Sequence, residues 1–402
     1  MTAPAHATVH QPVGERSPRR DLWERCGAQC DDREALRAYA APAFGAMIDV
    51  PVPLGDEPHV AIWKDWVHLS ERAGAPAVLR AQLPQLRFSI AEATRHQPEW
   101  HAATRRGLWS DQRHTGPDFA DPAGVTLAIA TSLAGAVPLI VARDRRDFEY
   151  LLRALTARCA PVPVAPSCGA TMVAGFVNWS RVHRARSEWA SARGGDDPTA
   201  WLAVFERLKQ HPAAWQDRFI LLSGGPYAAV PASELELADS EWLAASIVVR
   251  REHEVAHYVT KRFFGVMRNA LHDEVLADYA GLVAAFGHYD AARGRRVLGL
   301  DERGCLLDGG RLWNYRGTPA LSDRAMQALA SLAAFAIDAV ARLDLQRIDD
   351  EDVTIPLAAR TAALIALAST SLESMAGPDG ANALRSAYTC ARQRLGAATS
   401  RA

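Results

Sequence analysis

The chain has 402 residues, of which 49% are hydrophobic and 23% are charged, as in a soluble globular protein. Its 45 lysines and arginines balance 46 aspartates and glutamates, which gives a net charge of -1. A chain so close to neutrality has no overall electrostatic attraction to nucleic acid or to an anionic membrane, so neither is an expected partner.

The first 20 residues are polar and rich in proline, and they lack the apolar stretch of a secretory signal. We therefore predict a disordered tail over residues 1–20. The cysteines are scattered along the chain, which is typical of a protein from a reducing compartment. The predicted location is the cytoplasm.

Between residues 21 and 120 the sequence contains amphipathic segments with several tryptophans, separated by proline and glycine. This pattern predicts a run of helices. The uncharged stretch at 122–142 has the length of a membrane span, but its glycine, threonine and proline residues favour a buried helix or turn followed by a strand at 137–142. No membrane-spanning segment is therefore expected.

A mixed α/β region is predicted for residues 21–195. Helical spacing at 146–159 is followed by an almost uncharged, Gly- and Pro-rich segment at 161–182, which favours a strand and a loop. The glycine-containing loop at 191–200 is the predicted boundary. Residues 196–402 then form a second, mostly helical domain.

The second domain is predicted to begin with a short helix at 199–210. A β element follows at 218–231, with a strand, a Gly-Gly turn and another extended piece. From residue 240 onward the apolar residues recur with helical spacing, and their Ala- and Leu-rich faces indicate a C-terminal helical bundle. The predicted helices lie near 240–264, 271–287, 321–345, 352–376 and 380–395.

A His-Glu-x-x-His motif lies inside the first of these helices, in the stretch REHEVAHYVTKRFFGVMRNALHDEVLADYAGL at 251–282. His253 and His257 are four residues apart, so they share one face of the helix and can bind the same metal ion. Glu254 lies beside them, where its carboxylate can take a proton from water activated by the metal. The motif thus predicts a zinc site with Glu254 as general base.

A second group of acidic residues follows the motif closely. Gly265 is typical of a helix end, and the short segment after it predicts a turn back into the next helix. That turn would bring Asp273, Glu274 and Asp278 towards the histidines. We predict that Glu274 is the third ligand and that Asp278 accepts a hydrogen bond from a ligand histidine. Asp273 and Asp278 are the alternative third ligands.

The two motifs together resemble those of the glutamate zincins, or gluzincins, in which His-Glu-x-x-His is commonly followed by Asn-Glu-x-x-Ser-Asp. The resemblance is limited to residues 251–282, and the chain has Asp273 and Ala277 where the family has Asn and Ser. The resemblance implies that His253, His257 and Glu274 are the ligands. It also implies that Glu254 is the general base and that Asp278 orients a ligand histidine. The expected fold is α+β and predominantly helical, with a zincin-like metal-binding helix pair, a small β element before it and the C-terminal helical bundle.

The resemblance also implies a strand that binds the substrate. Gluzincins usually pair the substrate backbone with a strand that precedes the ligand helix, and the β element at 218–231 occupies that place in the sequence. We expect Phe219, Leu221 and Ser223 to contact the substrate, on the condition that their strand has a free edge facing the metal.

An oxyanion donor is a further implication of the resemblance, because the family stabilises the developing negative charge with a Tyr, His or Arg side chain. Arg268 and Tyr279 lie beside the motif and are the predicted donors. Other candidate donors are Tyr258, His288, Tyr289 and Tyr315.

The predicted function is a zinc-dependent metallohydrolase that acts on a peptide or small amide. Two histidines and one carboxylate also form the facial triad of non-haem iron oxygenases, so an Fe(II) and 2-oxoglutarate-dependent enzyme that modifies a peptide or small metabolite is the first alternative. The second is a structural metal site in a binding module, which requires a further ligand such as Asp278 or His272. The sequence does not indicate the oligomeric state.

Overall fold

The computed structural model describes residues 18–109, 114–266, 271–350 and 356–399. Within these ranges the chain forms fifteen α-helices and one four-stranded sheet. The predicted α+β fold with a helical majority is therefore confirmed. Most of the predicted tail, residues 1–17, lies outside the described residues, and the first helix begins at Pro18.

The first half of the chain contains the helices predicted within 21–120, at 146–159 and, beyond the predicted boundary, at 199–210. Five of them precede the sheet: α1 (Pro18–Arg25), α2 (Arg33–Tyr39), α3 (Val60–Ala73), α4 (Ala75–Gln82) and α5 (Pro98–Arg106). Three more lie between the strands: α6 (Arg145–Thr156), α7 (Trp179–Arg193) and α8 (Pro198–Lys209). Helix α7 was not predicted, and it begins within the segment 161–182 for which a strand and a loop were expected.

The sheet has the strand order β1-β2-β4-β3. Its strands are β1 (Val125–Ala130), β2 (Val137–Ala142), β3 (Ala170–Val177) and β4 (Gln216–Ser223). β2 and β4 are parallel, and each outer strand is antiparallel to its neighbour. The strand predicted at 137–142 is confirmed, and β1 is a further strand that the sequence did not indicate.

The uncharged stretch at 122–142 is thus mainly a β-hairpin, formed by β1 and β2. Among the described residues, no helix combines the length and the apolar character that crossing a membrane requires.

β4 lies inside the sheet, and its side chains alternate between two hydrophobic clusters. Ile220 and Leu222 pack with the C-terminal helices, whereas Phe219 and Leu221 pack with the helices of the first half. β2 and β3 occupy both edges of β4, so β4 has no free edge for a peptide. The predicted free edge is therefore wrong, and β3 is an outer strand of the sheet.

The predicted boundary near residue 195 does not separate the two hydrophobic clusters. β4 follows that position in the chain, yet it lies between β2 and β3, which precede it. Leu22 and Trp23, near the start of the described residues, pack into the cluster of the C-terminal helices. Both halves of the chain therefore contribute to each cluster.

The C-terminal half is a helical bundle, as predicted. Its helices are α9 (Asp239–Phe264), α10 (Leu271–Phe286), α11 (Ala291–Leu298), α12 (Asp323–Asp350), α13 (Leu357–Ser369), α14 (Leu372–Ala376) and α15 (Gly380–Thr399). The helix predicted at 352–376 is interrupted, because Thr370 has an extended conformation and Ser371 caps the next helix. Helix α11 was not predicted.

Helices α9 and α10 pack closely, and two glycines make this arrangement possible. Gly265 ends α9 in the left-handed conformation, with φ of 71°, as the sequence predicts. A Cβ atom on Gly281 of α10 would lie 2.6 Å from the carbonyl oxygen of Val249 on α9, so only glycine allows this approach. The two helices therefore face each other over the residues of both motifs.

Candidate metal centre

Three buried side chains meet where α9 and α10 face each other: His253, His257 and Glu274. The two histidine Nε2 atoms lie 3.1 Å apart, and the Glu274 oxygens lie 3.5 Å from His253 Nε2 and 3.7 Å from His257 Nε2. Ligand atoms at about 2.0–2.1 Å from a tetrahedral zinc ion are themselves about 3.3–3.4 Å apart. The three donors therefore have nearly the spacing that a single zinc ion requires.

Each histidine has a carboxylate beside its other ring nitrogen. Asp278 Oδ1 lies 3.0 Å from His253 Nδ1, and Asp273 Oδ1 lies 3.2 Å from His257 Nδ1. A carboxylate in this position holds the proton on Nδ1 and leaves the Nε2 lone pair for a metal. Asp278 thus lies where the sequence predicts, whereas Asp273 lies within ion-pair distance of the second histidine and is not one of the three donors.

Two residues from other parts of the chain, Tyr227 and Arg311, bind the Asp278 carboxylate behind His253. Tyr227 donates its hydroxyl proton to Asp278 Oδ1 over 2.5 Å, and Arg311 donates to the Tyr227 oxygen over 2.6 Å and binds the second Asp278 oxygen. Burial alone would raise the pKa of Asp278, but the Arg311 guanidinium and the His253 ring lower it to about 2. Asp278 therefore stays ionised behind the histidine.

A cavity of about 450 Å³ opens onto the three donor atoms. Glu254 lies in its wall, and burial raises the pKa of this carboxyl while the neighbouring histidines lower it. Arg250 and Tyr315 also line the cavity, together with the segment 167–172, which leads into β3. The cavity therefore brings the Glu254 carboxylate, the Arg250 cation and the start of an outer strand next to the three donors.

The ligand group has three members, and within the described ranges no fourth His, Cys, Asp or Glu joins it. His272, proposed above as a further ligand, has its Nε2 atom 2.8 Å from the carbonyl oxygen of Leu367. Asp278 is held by His253 and Arg311. Structural zinc sites have four protein ligands, whereas catalytic sites keep one position open for water. Among the described residues, the group offers three protein donors to a metal ion.

Residues 22–379 match a family described as "Family of unknown function (DUF7005)". That range contains every described residue of the site. The chain belongs to the DUF7005 family. No curated protein and no solved structure matches it.

The residues predicted to contact the substrate are core residues in this DUF7005 protein. Phe219 and Leu221 are fully buried, and Ser223 at the end of β4 is 2% exposed. The Ser223 amide donates to the carbonyl of Gly169, and none of the three lines the cavity. The prediction that they bind substrate is wrong, because the strand order of the DUF7005 sheet places β4 inside it.

The predicted oxyanion donors have different positions in the DUF7005 structure. Arg268 lies outside the described residues. Tyr279 donates its hydroxyl proton to Asp344 over 3.0 Å and does not line the cavity. Tyr258 likewise donates to a backbone carbonyl, that of Ala136. Of the candidates among the described residues, Tyr315 is the one that lines the cavity.

Replacing Asp278 by asparagine is expected to lower the zinc affinity by about 10–100-fold, which is the usual effect of losing a carboxylate behind a ligand histidine. Asparagine keeps the size of the side chain but removes the charge that faces His253 and Arg311. Competition with a chromogenic zinc chelator measures the affinity. Asp338→Asn, which changes a partly exposed carboxylate on α12, is the control and should bind zinc like the unmodified chain. Unchanged affinity in Asp278→Asn would contradict the orienting role.

Proposed function

We propose that the chain is a zinc-dependent metallohydrolase that cleaves a peptide or small amide bond. One observation carries this proposal: three buried donor atoms at zinc spacing share a cavity wall with the Glu254 carboxylate. A metal that serves only to stabilise a fold needs four ligands and no neighbouring base. An open three-ligand group with a carboxylate beside it suits the activation of water.

The chain's own residues can carry out the proton transfers of hydrolysis. When bound, zinc supplies Lewis acidity, which acidifies water and polarises a carbonyl. Glu254 accepts the proton of the attacking water and later delivers it to the departing amine. Asp273 and Asp278 hold the two histidine rings in place during these transfers.

Tyr315 is the proposed donor to the oxyanion. It belongs to the 3₁₀ segment Arg311–Tyr315 and lines the cavity close to Glu274. Burial raises the pKa of its phenol more strongly than Arg311 lowers it, so the phenol keeps its proton near neutral pH. A protonated phenol at this position can donate a hydrogen bond to the negative charge that develops on a carbonyl oxygen.

β3 is the proposed substrate strand. It lies at one side of the sheet, and its residues 170–172 line the cavity beside the ligand group. An extended peptide can add to such an edge through backbone hydrogen bonds. The hypothesis of β-augmentation from the sequence analysis is thus retained, with β3 in place of β4 as the strand that pairs with the substrate.

A second candidate is the Fe(II) and 2-oxoglutarate-dependent oxygenase, since its facial triad uses the same ligand types. One observation favours it: Arg250, a buried cation, lines the same cavity and could hold a carboxylate of 2-oxoglutarate. The two candidates require different metals and different co-substrates, so a single assay separates them.

The test is incubation of the purified chain with a mixture of unstructured peptides, followed by mass spectrometry. With zinc alone, we expect shortened peptides whose formation stops on chelation and resumes when zinc is restored. With Fe(II), 2-oxoglutarate and oxygen, a peptide that gains one oxygen atom, together with succinate, would favour the oxygenase. No product under either condition would contradict both enzymatic functions.

A further inference from the structure

Arg250 is a buried cation beside the metal ligands. It lies one helical turn before His253 and Glu254 on α9, is 4% exposed and lines the cavity. Its Nη1 and Nη2 atoms donate to the backbone carbonyls of Ser223 over 3.0 Å and Pro226 over 2.5 Å. A guanidinium has five N–H donors, so these two bonds leave donors for another partner.

Arg250 forms no ion pair with a carboxylate of the described residues, although Glu254 lies one turn further along α9 and lines the same cavity. Apart from burial, the groups that act on its pKa are Tyr227 and Cys168, which raise it, and Arg145, which lowers it. Burial lowers the pKa of Arg250 to about 10, so the guanidinium is still charged near neutral pH. Buried charges are normally paired, as Arg311 is with Asp278. An unpaired cation in a cavity wall therefore points to an anion that arrives with the ligand.

The position of Arg250 relative to β3 indicates which anion this is. A Cβ atom on Gly169, the residue just before β3, would lie 2.4 Å from Arg250 Nε, so the guanidinium lies at the N-terminal end of this strand. A peptide that pairs with β3 in the antiparallel sense has its C-terminal end there. Residues 170–172, between that end and the rest of the strand, line the cavity next to the metal ligands.

We propose that Arg250 binds the C-terminal carboxylate of the substrate, so that the enzyme removes one or two residues from the C-terminal end of a peptide. This inference rests on the proposed hydrolase function. Along α9, Arg250 precedes the centre of the His253–His257 pair by about 7.5 Å, and two residues of extended peptide span a comparable length of about 6.8 Å.

The test measures binding, so it does not depend on turnover. Zinc-loaded Glu254→Gln protein is titrated by calorimetry with an acetylated tetrapeptide as the free acid and as its C-terminal amide. We expect the free acid to bind at least about 10-fold more tightly, as one charge-assisted contact would provide. That preference should disappear when Arg250→Gln is added, and Arg80→Gln, which removes another bond to a loop carbonyl, should leave it intact.

A second variant covers the case in which Arg250→Gln does not fold. Gly169→Ala keeps the guanidinium but forces it to shift, and it should also reduce the preference for the free acid. Equal binding of acid and amide to the protein that retains Arg250 would overturn the inference. So would Arg250-dependent binding of 2-oxoglutarate without any preference between the peptides, because the carboxylate would then belong to a co-substrate.

The outcome for the proposed function is separate. If the unmodified, zinc-loaded chain cleaves amidated peptides at internal bonds, it is a hydrolase but the inference about Arg250 is wrong. If the free acid binds preferentially through Arg250 and no peptide is cleaved, the carboxylate site is supported and the hydrolase proposal fails.

Discussion

Replacing Glu254 by glutamine is expected to reduce hydrolysis by about 100-fold or more and leave the metal in place. The carboxylate lies in the cavity wall beside His253 and His257 but is not one of the three donor atoms, so its loss removes the base and not a ligand. Glutamine has nearly the same size and cannot accept the proton of water. Loss of a general base reduces turnover by about 10²–10⁴-fold. Steady-state kcat and zinc content per chain, measured on the same sample, check both parts of this prediction.

Glu252→Gln is the matched control for this experiment. Glu252 lies on the same helix, pairs with Arg251 over 2.8 Å and does not line the cavity. The same chemical change there should leave kcat and zinc content as they are in the unmodified chain. An unreduced kcat in Glu254→Gln would reject Glu254 as the base, and loss of zinc in that variant would mean that the side chain supports the metal directly.

Much of the site was predictable because it depends on residues close together in sequence. The spacing of His253 and His257 places them on one helical face, and Gly265 ends the helix soon afterwards. Because the connection between the two helices is short, α10 runs back along α9. Glu274 and Asp278 consequently reach the histidines. Local sequence patterns are sufficient to indicate this arrangement.

The remaining parts of the site depend on contacts between distant segments. Tyr227 and Arg311, which bind each other and Asp278, are 84 positions apart. Tyr227 follows β4 in a 3₁₀ turn where the sequence predicted a second extended piece, and Arg311 begins another such segment after α11. Neither turn has a repeating apolar pattern, so nothing in the sequence marks these two residues.

The position of the predicted substrate strand within the sheet also depends on contacts between distant segments, which the sequence does not indicate. An apolar run such as that of β4 predicts a strand, but it carries no information about which strands flank it. The sequence pattern therefore predicts a free edge at Phe219, although β2 and β3 enclose its strand. The alternation of Ile220 and Phe219 between two hydrophobic clusters shows why both faces of β4 must be apolar: the strand is covered on both sides by helices.

Replacing Glu274 by alanine is expected to abolish stoichiometric zinc binding. The unmodified chain should bind about one zinc ion, since three protein ligands and an open position make one site. Losing a ligand should weaken binding by more than the roughly 10–100-fold expected for Asp278→Asn, because a direct bond to the metal is removed. Elemental analysis of protein purified without chelators or added metal, followed by zinc titration, measures both quantities.

Thermal unfolding provides an independent measurement of the same change. A metal that binds only the folded chain stabilises it by about 4 kcal/mol when its free concentration is 1,000 times its Kd. In the unmodified protein, chelation should therefore lower the melting temperature, whereas in Glu274→Ala it should have little effect. Glu206→Ala, an exposed glutamate on α8, is the control and should keep the full metal-dependent shift.

The possible results for Glu274→Ala have different consequences for the site. Full zinc content in this variant would mean that Asp273 or Asp278, and not Glu274, is the third metal ligand. Iron in place of zinc in the unmodified chain would favour the oxygenase, since His253, His257 and Glu274 suit either ion. Loss of zinc in the variant, together with a chelation-sensitive melting temperature in the unmodified chain, would establish His253, His257 and Glu274 as the metal ligands. Glu254 and Arg250 are proposed to act on water and substrate beside that metal.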